Sequence, residues 1–181
     1  MQYLESNELA RLFRVMYAEN KTHHMAALTC FFSGARISQV LRLQGQDIFE
    51  ANGRMVIKIH AAKRGFERLH PLHFDVQPEF DMSPLILLAQ TRRLSRLWGG
   101  LSRQFFNLSL KRYCALAGIH QDAGHSHIFR HSISMIIWHQ THNLGAISHF
   151  LAHRSPASAF SYLQANNGIE AQEAVDSLQL A

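Results

Sequence analysis

One stretch of the chain concentrates reactive side chains: His127-Ile128-Phe129-Arg130-His131-Ser132, then Leu151-Ala152-His153, then Tyr162 nine residues after His153. An arginine fork holds two phosphate oxygens at once, imidazoles exchange protons near neutrality, and a tyrosine oxygen forms a covalent phosphoester. The set suits work on a phosphodiester. Two further cations upstream extend it: Arg36, at a glycine-marked turn, and Lys63, between two extended segments.

Other chemistries fit less well. His127 and His131, like His149 and His153, are four residues apart, which on a helix puts two imidazoles on one face as in zinc sites. The zinc-protease pattern needs a glutamate directly after its first histidine, where this chain has Ile128, and neither a cysteine cluster nor a nearby third acidic ligand appears. No metal and no other cofactor is expected. A Gly-x-Ser-x-Gly elbow is absent, as is a glycine-rich phosphate loop, so serine hydrolysis and nucleotide hydrolysis have no support. Taken singly, Arg36 could pair with a carboxylate, Lys63 could be a solvated lysine and Tyr162 could pack its ring in a core; their joint arrangement carries the weight.

With 181 residues the chain fits a single domain, 1–181, large enough to bury a core without staples. Cys30 and Cys114 lack metal or redox spacing and are expected to be reduced core residues. The formal charge of +5 and pI near 9.6 favour a polyanionic partner, because Lys and Arg neutralise phosphates and release counterions. The N-terminus carries no basic segment followed by an apolar one, and no apolar run approaches bilayer-spanning length, so a cytoplasmic, nucleoid-associated protein without membrane contact is expected.

The elements that must position these groups are mostly helical. Ser6 can cap a helix over about 7–17 with Leu9, Leu12, Phe13 and Met16 on one face, and a buried helix follows from His24 to Ser33. Gly34 breaks it, and Ile37, Val40, Leu41 and Leu43 resume an apolar face. Then the period changes to two: Met55, Ile57 and Ile59 alternate with Val56, Lys58 and His60 after an Ala51-Asn52-Gly53 turn, and Leu69, Leu72 and Phe74 suggest a returning strand. Lys63, Arg64 and Arg68 form the basic tip of this hairpin. Asp75 to Ser83 reads as a loop, Ser83-Pro84 opens a helix to about Leu97, and Ser102 opens another closed by Gly118. The helix from His127 shows Ile133, Ile136, Ile137 and Trp138 as its buried face; Leu144, Ile147, Phe150 and Leu151 form the next, and 166–181 a C-terminal tail helix. Most of the thirteen histidines outside the reactive stretch read as surface or cap residues.

In this order and spacing the chain resembles the catalytic domain of tyrosine recombinases of the phage integrase family. The resemblance rests on Gly34-Ala35-Arg36-Ile37-Ser38, on Lys63 followed by Arg68 and Pro71-Leu72, on the His127 to Ser132 run, on Leu151-Ala152-His153 and on Tyr162, and it extends from about Leu4 to Ala165. It implies a mainly α fold with a small antiparallel β-hairpin or sheet. It also implies site-specific cutting and rejoining of double-stranded DNA: Tyr162 attacks phosphorus to give a 3′-phosphotyrosyl link, and the conserved bond energy removes any need for metal or ATP. In that division of labour Arg36 and Arg130 clamp the non-bridging oxygens, Lys63 protonates the leaving 5′-oxygen, His127 helps take the tyrosine proton, and His153 hydrogen-bonds the phosphate. Arg42, Arg64, Arg68 and Arg154 are the expected DNA contacts.

The chain departs from the family at Gln39, often glutamate there, at Ala152, usually glycine, and at Thr141-His142-Asn143, where a glycine-containing turn is familiar. His125 competes with His127, but only His127 stands three residues before Arg130. Family members usually carry an additional N-terminal helical domain of roughly a hundred residues; the chain is then either a fragment or a short single-domain form resembling the fimbrial phase-variation recombinases, without that N-terminal domain, and Met1 beside the first family helix favours the second expectation. The tail is expected to dock on a neighbouring protomer in a DNA-bound homo-tetramer, with an accessory DNA-bending protein as a further partner. Two other functions stay open at this point: an idle DNA-binding module on the same scaffold, and a type IB topoisomerase or resolvase activity.

Overall fold

The structure, a computed structural model, describes residues 3–61 and 66–152. Over these the chain forms α1 (Ser6–Glu19), α2 (Lys21–Ser33), α3 (Ile37–Val40), β1 (Ile48–Ala51), β2 (Arg54–Ile59), β3 (Arg68–Pro71), α4 (Pro84–Thr91), α5 (Arg103–Leu116), α6 (His127–Thr141) and α7 (Leu144–Phe150). The expected tail helix 166–181 lies outside the described residues. Among them no helix is long and apolar enough to cross a membrane.

α2 is the axis of the body. It is buried almost continuously from His23 to Phe31 and so has no polar face, the pattern of a helix enclosed by neighbours. Asn20 caps it by accepting the His23 N–H at 3.0 Å, which starts the helix at Lys21, earlier than its apolar run suggests. α1 lays Leu9, Leu12, Phe13 and Met16 against it as expected, but its cap is Glu5, one residue before Ser6; the Glu5 N–H donates to Glu8 Oε2 at 3.0 Å. The Phe13 ring stacks on Phe129 of α6 with centroids 5.7 Å apart and meets Phe31 of α2 edge-on at 5.6 Å, so three helices share one aromatic centre. His23 and His24 are core residues rather than surface ones. His23 shares a 2.9 Å hydrogen bond with the Tyr113 hydroxyl, and His24 Nε2 donates to the Glu79 carbonyl at 2.9 Å. Cys30 and Cys114 are buried free thiols.

The β region is a three-stranded antiparallel sheet in the order β1-β2-β3, with Ile57 paired to Ile48 on one side and His70 on the other. Asn52 at φ 51° and Gly53 at φ 72° both take the left-handed region, which a two-residue hairpin turn of this hand requires. β1 extends the expected hairpin by a strand. β3 stops at Pro71, short of Phe74, which is exposed.

α4 ends at Thr91 rather than near Leu97. Beyond it the chain turns back along the segment that follows α3: the Gly45 N–H donates to Arg92 O at 3.1 Å, Gln46 N–H to Arg93 O at 2.8 Å, and Leu97 N–H to Leu43 O at 2.9 Å. These tertiary bonds replace the helical ones. α6 also differs from its expected face. Ile128, Phe129, Arg130, Ser132, Ser134 and Met135 are buried, while Ile133, Ile136, Ile137 and Trp138 are only partly so. The reason is that Ile133 and Ile136 lean on the main core, whereas Ile137 and Trp138 lean on a second, small cluster around Ile147 and Leu151 of α7 and its end.

Candidate active site

Gly34 sets the first wall of the site. It ends α2 at φ 60°, and a Cβ there would stand 2.7 Å from Leu151 Cδ2 and 2.8 Å from Phe150 Cε1. The position therefore needs glycine twice over, for the left-handed turn and for the close approach of the α7 end. Two residues on, Arg36 is exposed at the start of α3. Its N–H donates to Gln39 Oε1 at 3.2 Å, and Gln39 Nε2 donates to the His60 carbonyl at 2.8 Å, so one amide ties the Arg36 turn to the end of β2. A glutamate at 39 could accept the first bond but, ionised, could not donate the second.

Arg130 enters from the opposite side, in the first turns of α6. It is 2% exposed, and its guanidinium donates through Nη1 to the Gly34 carbonyl and through Nη2 to Leu151 O at 2.9 Å. One fork thus joins the α2–α3 turn to the end of α7. Leu151 is followed by Ala152, whose φ of 52° stands in the left-handed region where glycine is usual. His127, the first residue of α6, stands three residues before Arg130. Partial burial, then the positive charges of Arg36, His125, Arg130 and Arg103, hold its imidazole below the ordinary histidine range. The ring is therefore neutral at neutral pH and able to accept a proton. Its neighbour His131, with ring centroids 6.4 Å apart, is pushed further down, to about 4, by burial and by His127, His125 and Arg130.

The structure thus gathers Arg36, His127 and Arg130 into one electropositive corner. Arg68 joins them, against its expected place on an exposed hairpin tip. It is 9% exposed on β3, its Nη1 donates to the Phe150 carbonyl, and burial with the charges of Arg130 and Arg36 lowers its pKa to about 10. The physical reason is strand alternation: Arg68 and His70 both point inward toward α7, while Leu69 points to solvent. Arg42 is exposed in the turn after α3. Lys63, Arg64, His153, Arg154 and Tyr162 lie outside the described residues. Among those described, no group of three histidine, cysteine, aspartate or glutamate side chains converges as a metal site would require. Sequence reasoning missed Arg103 beside His127 and the carbonyls of Gly34, Phe150 and Leu151; a backbone acceptor leaves no mark in the side-chain pattern.

Comparison with known proteins decides the family. The sequence model described as the Phage integrase family matches residues 2–168. The chain belongs to the phage integrase family. "Type 1 fimbriae regulatory protein FimB" of Escherichia coli K12 is 28% identical over 180 residues, covering 92% of this chain and 86% of FimB. Among solved structures, the XerH site-specific recombinase in a post-cleavage complex matches with a TM-score of 0.72 at 19% identity, over 88% of this chain and 48% of XerH. The chain thus spans about half the length of that recombinase. The catalytic domain of bacteriophage HP1 integrase matches with a TM-score of 0.67 at 18% identity, over 99% of both chains. At such identities the likeness is one of fold: the helical body with one small antiparallel sheet is that of the tyrosine recombinase catalytic domain.

Proposed function

We propose that this chain cuts and rejoins duplex DNA at specific sites through a 3′-phosphotyrosyl intermediate on Tyr162, without metal or ATP. XerH was solved bound to its palindromic difH substrate, and duplex DNA is the partner class that the basic corner here fits. Arg36 and Arg130 bind the non-bridging oxygens of the scissile phosphate and stabilise the charge that grows on them. His127, kept neutral, accepts the tyrosine proton; Lys63 protonates the departing 5′-oxygen; His153 hydrogen-bonds the phosphate. The 5′-hydroxyl of a partner duplex then attacks the phosphotyrosine and exchanges the strand. Arg42, Arg64 and Arg154 contact the DNA backbone, and a homo-tetramer assembled on DNA through the 166–181 tail, aided by a DNA-bending protein, completes the synapse.

The observation that carries this reading is the convergence of Arg36 and Arg130 on His127, from helix starts far apart in the sequence, so that both guanidinium charges act on one imidazole. A nicked duplex that loses its 5′-hydroxyl fragment on cleavage tests it. The wild-type protein should give an SDS-resistant protein–DNA adduct unaffected by EDTA, and Tyr162→Phe should give none. An adduct that survives in Tyr162→Phe would remove the proposed nucleophile. Deleting 168–181 should abolish cooperative cleavage if the tail exchanges between protomers, and leave it unchanged if the tail folds back on its own domain.

A further inference from the structure

Arg68 occupies a place that packing alone does not explain. It is nine-tenths buried on β3, and the charges that bear on it are Arg130 and Arg36, with no carboxylate among them. No ion pair among the described residues involves it. Its Nε is buried without a hydrogen-bond partner, while its Nη1 donates to the Phe150 carbonyl. Phe150 is the last residue of α7 and Leu151 its C-cap, so their carbonyls lie at the negative end of the helix, which the helix itself cannot satisfy. Arg68 takes the first and Arg130 takes the second. The next inward residue of β3, His70, sets its ring edge-on to Phe150 at 5.2 Å and stays neutral, since burial, Arg68 and His149 lower its pKa to about 4.

A single neutral donor would cap Phe150 without repelling its neighbours, and apolar residues commonly replace buried charges at no loss of stability. Here like charges are kept together instead. We propose that Arg68 is a positioning residue: with Arg130 it clasps the end of α7 against the Arg36 and Arg130 pair, holding a like-charge repulsion that an arriving phosphate relieves. This rests on the DNA-cleavage reading only for its final consequence. Phosphate between Arg36 and Arg130 screens Arg68 as well, so the clasp closes tightest when substrate is bound. The chain directly beyond the clasp runs through Ala152 to His153 and on to Tyr162, which makes the α7 end the point from which the nucleophile's segment departs.

The test uses the full chain and two variants. Arg68→Met keeps the volume and removes both the repulsion and the carbonyl bond. It should melt at or above the wild-type temperature without DNA, lose most of the extra stabilisation that inorganic sulfate gives over chloride at equal ionic strength, and bind duplex DNA within about threefold of wild type while cleaving the nicked duplex about 100-fold more slowly at saturation. Arg68→Lys retains one donor for the Phe150 carbonyl and a charge, and should recover cleavage to within about tenfold of wild type. Cleavage by Arg68→Met within about threefold of wild type would overturn the proposal. So would a parallel loss of stability and cleavage in Arg68→Met, the mark of a merely structural residue, or an Arg68→Lys protein that folds and is as impaired as Arg68→Met. Should wild type form no adduct at all, the DNA-cleavage reading fails while the sulfate and melting comparison still decides whether the repulsion exists.

Discussion

Two apolar clusters organise the described residues, and they do so differently. The main one, around Phe13, Leu28, Phe106 and Phe129, is built from helices that bury whole faces on one another. Among the described residues the second has Ile147 and Leu151 buried, with Ile137, Trp138, Leu144 and Phe150 partly so, and is much smaller. Among the described residues it meets the body through the close approach of Gly34 to Phe150 and Leu151, the His70 ring against Phe150, and guanidinium–carbonyl bonds, Arg130 to Gly34 and Leu151 and Arg68 to Phe150. Apolar contact is indifferent to a phosphate; arginine bonds are not. Under the proposed function the groups that bond this end of α7 also hold the substrate, which would couple substrate binding to the position of α7.

Breaking the arginine attachment should have the largest effect. Arg130→Lys leaves one ammonium where a fork serves two carbonyls and, in the proposed reaction, the phosphate, and cleavage should fall by about 10³-fold or more. Single-turnover cleavage of the nicked duplex measures it, with a far-ultraviolet melt showing that the main core stays folded. A normal rate would detach the clasp from the chemistry. On the other side of the comparison, Phe13→Ala should cost about 3–5 kcal/mol of folding stability, because the ring is fully buried among Phe31, Phe80 and Phe129. Here cleavage by the remaining folded fraction should be near normal. Denaturant unfolding separates the two quantities.

Gly34→Ala touches both regions at once. The left-handed backbone penalises alanine, and the new Cβ would push on Phe150 and Leu151, so a loss of about 1–3 kcal/mol is expected. Unlike Phe13→Ala, it should lower cleavage in the folded protein as well, since the displaced residues are those the arginines hold. An equal effect on stability with no effect on cleavage would mean that the position of the α7 end is irrelevant to the reaction.

The main body was the more legible half in the sequence, because its elements follow from local pattern. The apolar spacing of α1 and α5, the Asn52-Gly53 turn and the Gly34 stop each follow from local periodicity or backbone preference. What was misread depended on distant partners. The end of α4 is set by Arg92, Arg93 and Leu97 pairing with 43–46, and β1 has a largely exposed four-residue run that shows no alternation. α6 divides its apolar residues between two clusters, which no single helical face reveals. Residue types and spacing singled out Arg36, His127 and Arg130, which the structure brings near one another. The inward turn of Arg68 could not be read that way, because it follows from which face of β3 meets α7.

The smallest effect isolates the electrostatics of the corner. Burial is the first cause that lowers the His127 pKa and the Arg36 charge the second, ahead of His125, Arg130 and Arg103. Protonating this ring in the folded state is thus disfavoured, and the neutral form that can accept a proton persists to a pH below the ordinary histidine value of about 6.5. As pH falls through the lowered value the ring charges and the base is lost, so the acid limb of wild-type cleavage should lie below about 6.5. Arg36→Gln removes one repelling charge and should move the His127 midpoint upward while leaving it below the ordinary histidine value, because burial, the first cause, remains. Titrating the His127 Cε1–H signal by NMR reads this directly and does not depend on the weakened activity of the variant. A midpoint unmoved by Arg36→Gln would mean that the guanidinium does not act on the imidazole, and with it would go the convergence on which the active-site reading stands.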